Sequence, residues 1–166
     1  MAFADTFLPE FDNEMRTTRS LLERVPLDNA RWKPHTKSTD LGKLATHLAN
    51  LAGFGHMIAT KDENDFATPE TQARMAADYT TADELLSNFD KNAAASRDAI
   101  AKLADQDLGT TWTLRNGEHV ILAVPRATAL RVLMMNHIIH HRGQLSVYLR
   151  LNDVPLPSIY GPTADM

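Results

Sequence analysis

The sequence predicts an all-α fold: a four-helix bundle with a small β-hairpin before the last helix. Three observations carry this. Four segments place apolar residues at helical spacing. One Asn-Gly pair sits between two β-prone runs late in the chain. The 166 residues, with no internal repeat or low-complexity stretch, suffice for a single domain, 1–166, with its own core.

The first helix is expected over residues 9–24, because Phe11, Met15, Leu22 and Val25 form one stripe, Pro9 is tolerated in a first turn, and Pro26 ends it. A polar connector anchored by Trp32 follows. The second helix should open at Ser38 or Thr39 and cover residues 40–60, apolar along Leu41, Leu44, Leu48, Leu51, Phe54, Gly55 and Ile58. Residues 61–79 are polar and poorly periodic, and read as a loop with room for a short turn of helix. Thr81-Ala-Asp-Glu84 is a capping box, whose hydroxyl and carboxylate satisfy free amides at a helix start. It opens a third helix to about Leu103, with Leu85, Leu86, Phe89, Ile100 and Leu103 facing in. Asn116-Gly117 signals a type I′ hairpin. Pro125 starts the fourth helix, which runs to Arg150, and the proline-rich tail after Asn152 is not helical.

Charged residues at 23% and hydrophobics at 43% describe an ordinary globular chain. A net charge of −4 gives no electrostatic footprint for nucleic acid. The start of the chain lacks a basic segment followed by a sustained apolar run, and no stretch approaches the ~20 apolar residues of a membrane span. The cytoplasm is therefore the expected compartment. With no cysteine, disulfides, thiolate ligands and a cysteine nucleophile are all excluded. Imidazole and carboxylate remain as metal ligands.

His137, His140 and His141 sit inside the long apolar run of the fourth helix. Residues four apart share a helix face, about 5–6 Å between Cβ atoms, so His137 and His141 can hold one ion between them. At ~100° per residue they fall on one stripe with Leu130, Leu133, Met134, Gln144, Leu145 and Tyr148, the face expected to be buried. Buried imidazoles need partners, either hydrogen bonds or a metal. His47, at the edge of the second helix's stripe, is a candidate third ligand, because bundle metal sites are built from facing helices. Three neutral ligands with an open position are the pattern of a catalytic site. Gln144 could orient a ligand or cap backbone, Tyr148 reads as core with its hydroxyl at the rim, and His140 as a flanking residue. His35, His56 and His119 read as solvated.

The run Leu44-Ala-Thr-His-Leu-Ala-Asn-Leu51, the segment His137-x-x-x-His141-Arg-Gly-Gln-Leu145 and the tail Pro155-Leu-Pro-Ser-Ile-Tyr-Gly-Pro162 together resemble the DinB (damage-inducible) family, of the DinB/YfiT-like superfamily. The early Leu-Leu-Glu-Arg-Val-Pro and Trp32-Lys-Pro-His are similar too. The resemblance implies a four-helix bundle of DinB/YfiT type, usually a homodimer, holding a divalent ion, often nickel or zinc. The family's ligand positions match His47, His137 and His141. Characterised members of such families include thiol-dependent transferases, a mycothiol-dependent isomerase and hydrolases.

Three functional readings follow. The first is an enzyme: a metal-dependent transferase using a small thiol cosubstrate, or a hydrolase using metal-bound water, acting on a small-molecule substrate. The second is a non-catalytic metal- or ligand-binding stress-response bundle. The third is a structural bundle with hydrogen-bonded histidines. A homodimer is expected through the outer side of the fourth helix, where Val132, Met135 and Ile139 form a second apolar strip beside Gly143 and Ser146, which a partner chain or another helix of the same chain must cover.

Overall fold

Helix α1 (Phe3–Leu22) starts earlier than the proline signal implies, so Pro9 lies inside it. Burial of Phe7 and Phe11 on either side of Pro9, and stacking of Phe3 on Phe7 at 4.8 Å, hold that turn against the core. The amide of Phe3 donates to the Asp105 carboxylate and that of Ala2 to Asp5, which satisfies free donors at the start. The computed structural model describes residues 2–165.

The four-helix count does not hold, because the expected second helix is two helices. These are α2 (Leu41–Leu51), capped by the Asp40 carboxylate on the Lys43 amide, and α3 (Phe54–Thr60). The break is chemical. In a continuous helix the His56 amide would donate to the Ala52 carbonyl. Here the Ser96 hydroxyl stands between them, donating to Ala52 O at 2.5 Å and accepting from His56 N at 2.9 Å. Asn92, one turn earlier on the facing helix, donates to the Ala49 carbonyl at 2.9 Å. A side chain inserted into the backbone ladder is a recognised cause of a kink. Gly55 is required by the same contact, since a Cβ there would lie 2.9 Å from Ser96 Cβ and 2.7 Å from Met134 Sδ.

The expected loop at 61–79 holds two elements. Strand β1 (Glu63–Asp65) runs parallel to β2 (Thr111–Asn116), and α4 (Pro69–Met75) is capped by Thr68 with proline in its first turn. Helix α5 (Ala82–Ala101) opens on the expected Thr81/Glu84 capping box. Strand β2 then pairs antiparallel with β3 (His119–Pro125), giving a three-stranded sheet in the order β1-β2-β3 that turns Trp112 and Leu114 into the core. Asn116 pairs with His119, so the turn residues are Gly117 and Glu118, one position later than expected. Only Gly117 carries a positive φ, 59°, which is the φ pattern of a type II′ rather than a type I′ turn.

The last helix is continuous but irregular. It consists of α6 (Arg126–Ala129), a π-helical segment (Leu130–Met135) and α7 (Asn136–Leu151). A π turn holds more residues than an α turn, so side chains after Leu130 are rotated from their ~100° positions. Met135 is fully buried, on one stripe with Ile138, Arg142, Leu145 and Leu149 at helical spacing, so the outer apolar strip expected from Val132, Met135 and Ile139 is not formed as such. Helices α1 and α2 each pack on both α5 and α7, with α3 against α5, around one core that includes Phe11, Leu44, Leu48, Phe89, Met134 and Leu145. The Arg126 guanidinium closes the end of α3 by donating to the Ile58 carbonyl and, at 2.7 Å, to the Lys61 carbonyl. Among the described residues no helix is long and apolar enough to cross a membrane.

Candidate metal centre

Helix α2 lies against α7, and this contact brings the three expected histidines together. Ring centroids are 5.2 Å apart for His47 and His137, 4.6 Å for His47 and His141, and 4.7 Å for His137 and His141. One ring nitrogen from each lies within 4.8 Å of the other two. The Nε2 atoms of His47 and His137 are 3.5 Å apart. Metal–nitrogen bonds of 2.0–2.1 Å in a tetrahedral site put ligand nitrogens about 3.4 Å apart. The His47–His137 pair is therefore at ligand spacing, with a His141 nitrogen within 4.8 Å of both, and the donors, three imidazoles without a carboxylate, suit a divalent ion of zinc, nickel, copper or iron. Among the described residues no other group of three histidine or acidic side chains is gathered this closely.

The apolar stripe predicted a buried pair. In the structure His137 and His141 are half-buried and His47 is exposed, and His47 and His137 line the edge of a cavity rather than the core. Gln144 supplies the orienting contact: its Oε1 lies 2.7 Å from His141 Nδ1. A carboxamide oxygen only accepts, so Nδ1 carries the proton and Nε2 keeps its lone pair for an ion. Tyr148 is buried, packed edge-on against Trp32 at 5.5 Å, and its hydroxyl donates to the Thr39 carbonyl. It belongs to the core. His140 is exposed, 4.9 Å from the His141 ring, and His35, His56 and His119 are exposed and outside the group.

The His47 residue keeps exposed surface, but its ring is packed against those of His137 and His141, and this desolvation pushes the imidazole down to about 4, with repulsion from His141 and then His137 adding to it. His137 is lowered by desolvation and by His141, against a hydrogen bond to the Leu133 backbone. His141 is lowered by desolvation, against its bond to Gln144. All three are held in the neutral, ligating form. The native state of the metal-free protein thus takes up protons later than the unfolded chain. The neutral triad contributes stability that is present above the unfolded value, near 6.5, and lost as pH falls towards about 4. Urea midpoints of chelator-treated protein should fall between pH 7 and pH 4, and should fall less in His47→Gln. Parallel pH profiles for the two proteins would refute this assignment.

A cavity of about 560 Å³ opens beside the triad, with His47 and His137 in its wall. Its apolar lining includes Phe54, Phe66 and Leu133. A volume of that size suits a small organic molecule.

Neither the orienting role of Gln144 nor a second buried polar centre was resolved by sequence reasoning. In the latter, Arg142 is 1% exposed and pairs with Glu14 at 2.6 Å. The Tyr160 hydroxyl, on the tail, accepts from Arg142 at 2.5 Å and donates to Glu14 at 2.8 Å. The signal was present in the His-Arg-Gly-Gln segment and the Ile-Tyr-Gly tail, but nothing in the spacing joins them to residue 14.

The comparisons agree with the fold. A Bacillus subtilis (strain 168) protein, the uncharacterized YrdA, is 26% identical over 161 residues, spanning 97% of this chain and 90% of the relative. A DinB-like protein of Bacillus cereus ATCC 10987, known from its crystal structure, superposes with a TM-score of 0.69 at 22% identity, covering 93% of this chain and 95% of its own. The DinB-like protein YjoA of Bacillus subtilis gives 0.67 at 18% identity, over 92% and 96%. The sequence profile of the DinB family matches residues 1–165. With that match over nearly its whole length, the chain belongs to the DinB family.

Proposed function

We propose that His47, His137 and His141 bind one divalent ion, nickel or zinc, and that the protein is a metal-dependent enzyme acting on a small molecule in the adjoining cavity. One observation carries this reading: three lowered, neutral imidazoles converge beside a cavity of about 560 Å³, with His47 and His137 in its wall. When bound, such an ion supplies Lewis acidity, favouring the thiolate form of a small thiol or the ionised form of water. The chain's own groups do the rest. Gln144 holds His141 in one tautomer, and Phe54, Phe66 and Leu133 exclude water from the bound molecule. No cysteine is available as a nucleophile, so thiol chemistry requires a thiol cosubstrate.

A second reading, a non-catalytic metal- or ligand-binding bundle, is favoured by one feature. The carboxylate in the cavity wall, Asp78, faces Arg31 at 3.5 Å, which leaves no unpaired general base there among the described residues. A panel of electrophiles and esters, assayed with and without a low-molecular-weight thiol, separates these. Consumption of thiol only by metal-loaded protein supports the transferase. Turnover with water alone, rising with pH, supports the hydrolase. Silence throughout, with metal bound, rejects the enzyme in favour of the binding bundle.

A homodimer through the outer side of α7 remains our proposal, on a revised strip. Val132, Val147 and Leu151 are 45%, 56% and 56% exposed, and Gly143 between them has open space around its Cα. Light scattering should give twice the chain mass at micromolar concentration, and a monomer would reject the proposal.

A further inference from the structure

The cavity beside the triad has a one-sided chemistry. Most of its polar wall is already committed. Asn50 donates to the Arg74 carbonyl at 3.2 Å and accepts from the Tyr79 hydroxyl at 2.8 Å. Thr46 accepts from the Tyr79 amide at 3.1 Å. Arg31 faces both Asp78 and Asp40, at 3.5 and 3.7 Å. Two cations in the wall remain, Lys43 and Arg74, and among the described residues neither has a carboxylate within 4.0 Å.

Arg74 is the informative one, because it is half-buried. Its guanidinium has one long contact, Nη2 to Asn64 Oδ1 at 3.4 Å, and lies 6.0 Å from the Phe54 ring centroid. Glu70, one turn earlier on α4, is directed to Lys61 at 3.8 Å. Desolvation lowers the Arg74 guanidinium from its ordinary value, with Glu70 opposing, as expected for a charge enclosed without a close counter-ion. A desolvated charge is normally paired. Five N–H donors in a planar fork, four of them without a protein acceptor beyond that single bond, match a carboxylate or another oxyanion.

We propose that this cavity takes an organic anion, a small molecule whose apolar body lies along Phe54, Phe66 and Leu133 and whose carboxylate or similar oxyanion pairs with Arg74. Lys43 adds a second positive charge at the exposed side. The inference deepens the metal-site reading, since it names the class of molecule presented to His47 and His137. Recognition itself rests on Arg74 and the apolar wall, and so should survive removal of any metal. A neutral molecule of the same shape leaves the guanidinium unpaired and is discriminated against.

The test uses calorimetry with a series of ω-phenylalkanoates, from phenylacetate to 8-phenyloctanoate, and their primary amides, on metal-loaded and chelator-treated protein. At least one acid should bind at least ten-fold more tightly than its amide in both preparations. Arg74→Gln should abolish that preference at unchanged circular dichroism and urea midpoint, and Arg74→Lys should retain part of it. Failure of every acid to bind, equal affinity of acid and amide, or an undiminished preference in Arg74→Gln would each overturn the proposal. So would a preference that disappears with the metal, which would place the anion on the ion instead. Anion preference without any metal uptake would sink the metal-site reading alone, and metal uptake without preference would sink this one alone.

Discussion

Replacing Arg142 by alanine is expected to cost about 3–5 kcal/mol of stability, because it strands a buried carboxylate. Glu14 is 5% exposed, and its charge is balanced by the guanidinium at 2.6 Å and by the Tyr160 hydroxyl at 2.8 Å. Arg142 also donates to the Glu14 backbone carbonyl at 3.2 Å, so its removal frees a main-chain acceptor as well. For a chain of this length the thermal midpoint should fall by roughly 6–20 °C. The contrast lies in the double replacement Glu14→Leu with Arg142→Met, which removes both charges and should be near neutral, since a buried pair gains little over well-packed apolar groups. Urea unfolding of Glu14→Leu, Arg142→Met and the double variant gives the coupling directly. A loss below 1 kcal/mol in Arg142→Ala would show that the pair does not hold α1 against α7.

The second large effect is on metal content. Protein purified without a histidine tag should carry one divalent ion per chain, and His141→Ala should lose most of it while His56→Ala keeps it. His56 is a fair control, being a histidine that lies outside the triad. Gln144→Ala should weaken affinity by roughly 10–100-fold, the usual effect of removing the partner that orients a ligand. Affinity should also fall as pH drops, since an ion must compete with protons for the imidazoles. Equal metal content in His141→Ala and His56→Ala, by elemental analysis, would dismiss the assignment.

The grouping of the three histidines was more legible in the sequence than the fold's details. His137 and His141 four residues apart on a helix, with His47 on another apolar helix, already named the three side chains, because helix periodicity is a local property. What escaped was set by distant residues. The break between α2 and α3 is made by Asn92 and Ser96, which lie about 40 positions on, and only Gly53 and Gly55 hinted at it. Helix α4 has a clear start at Thr68-Pro69 but buries Thr71 rather than an apolar stripe, so periodicity missed it. Met135 belongs to the buried face rather than an outer one because that face is centred on Ile138, Arg142, Leu145 and Leu149, not on His137 and His141. The burial of Arg142 has no local signal, since its counter-ion lies 128 residues earlier.

The central claim is that three particular imidazoles share one ion, and a zinc titration of ¹⁵N-labelled, chelator-treated protein followed by histidine ring NMR tests it most directly. Of the seven histidines, the ring signals of His47, His137 and His141 should move together and stop at one equivalent. Those of His35, His56 and His119 should stay in place. Movement of these outer histidines instead, or a titration with no endpoint at one equivalent, would contradict the account.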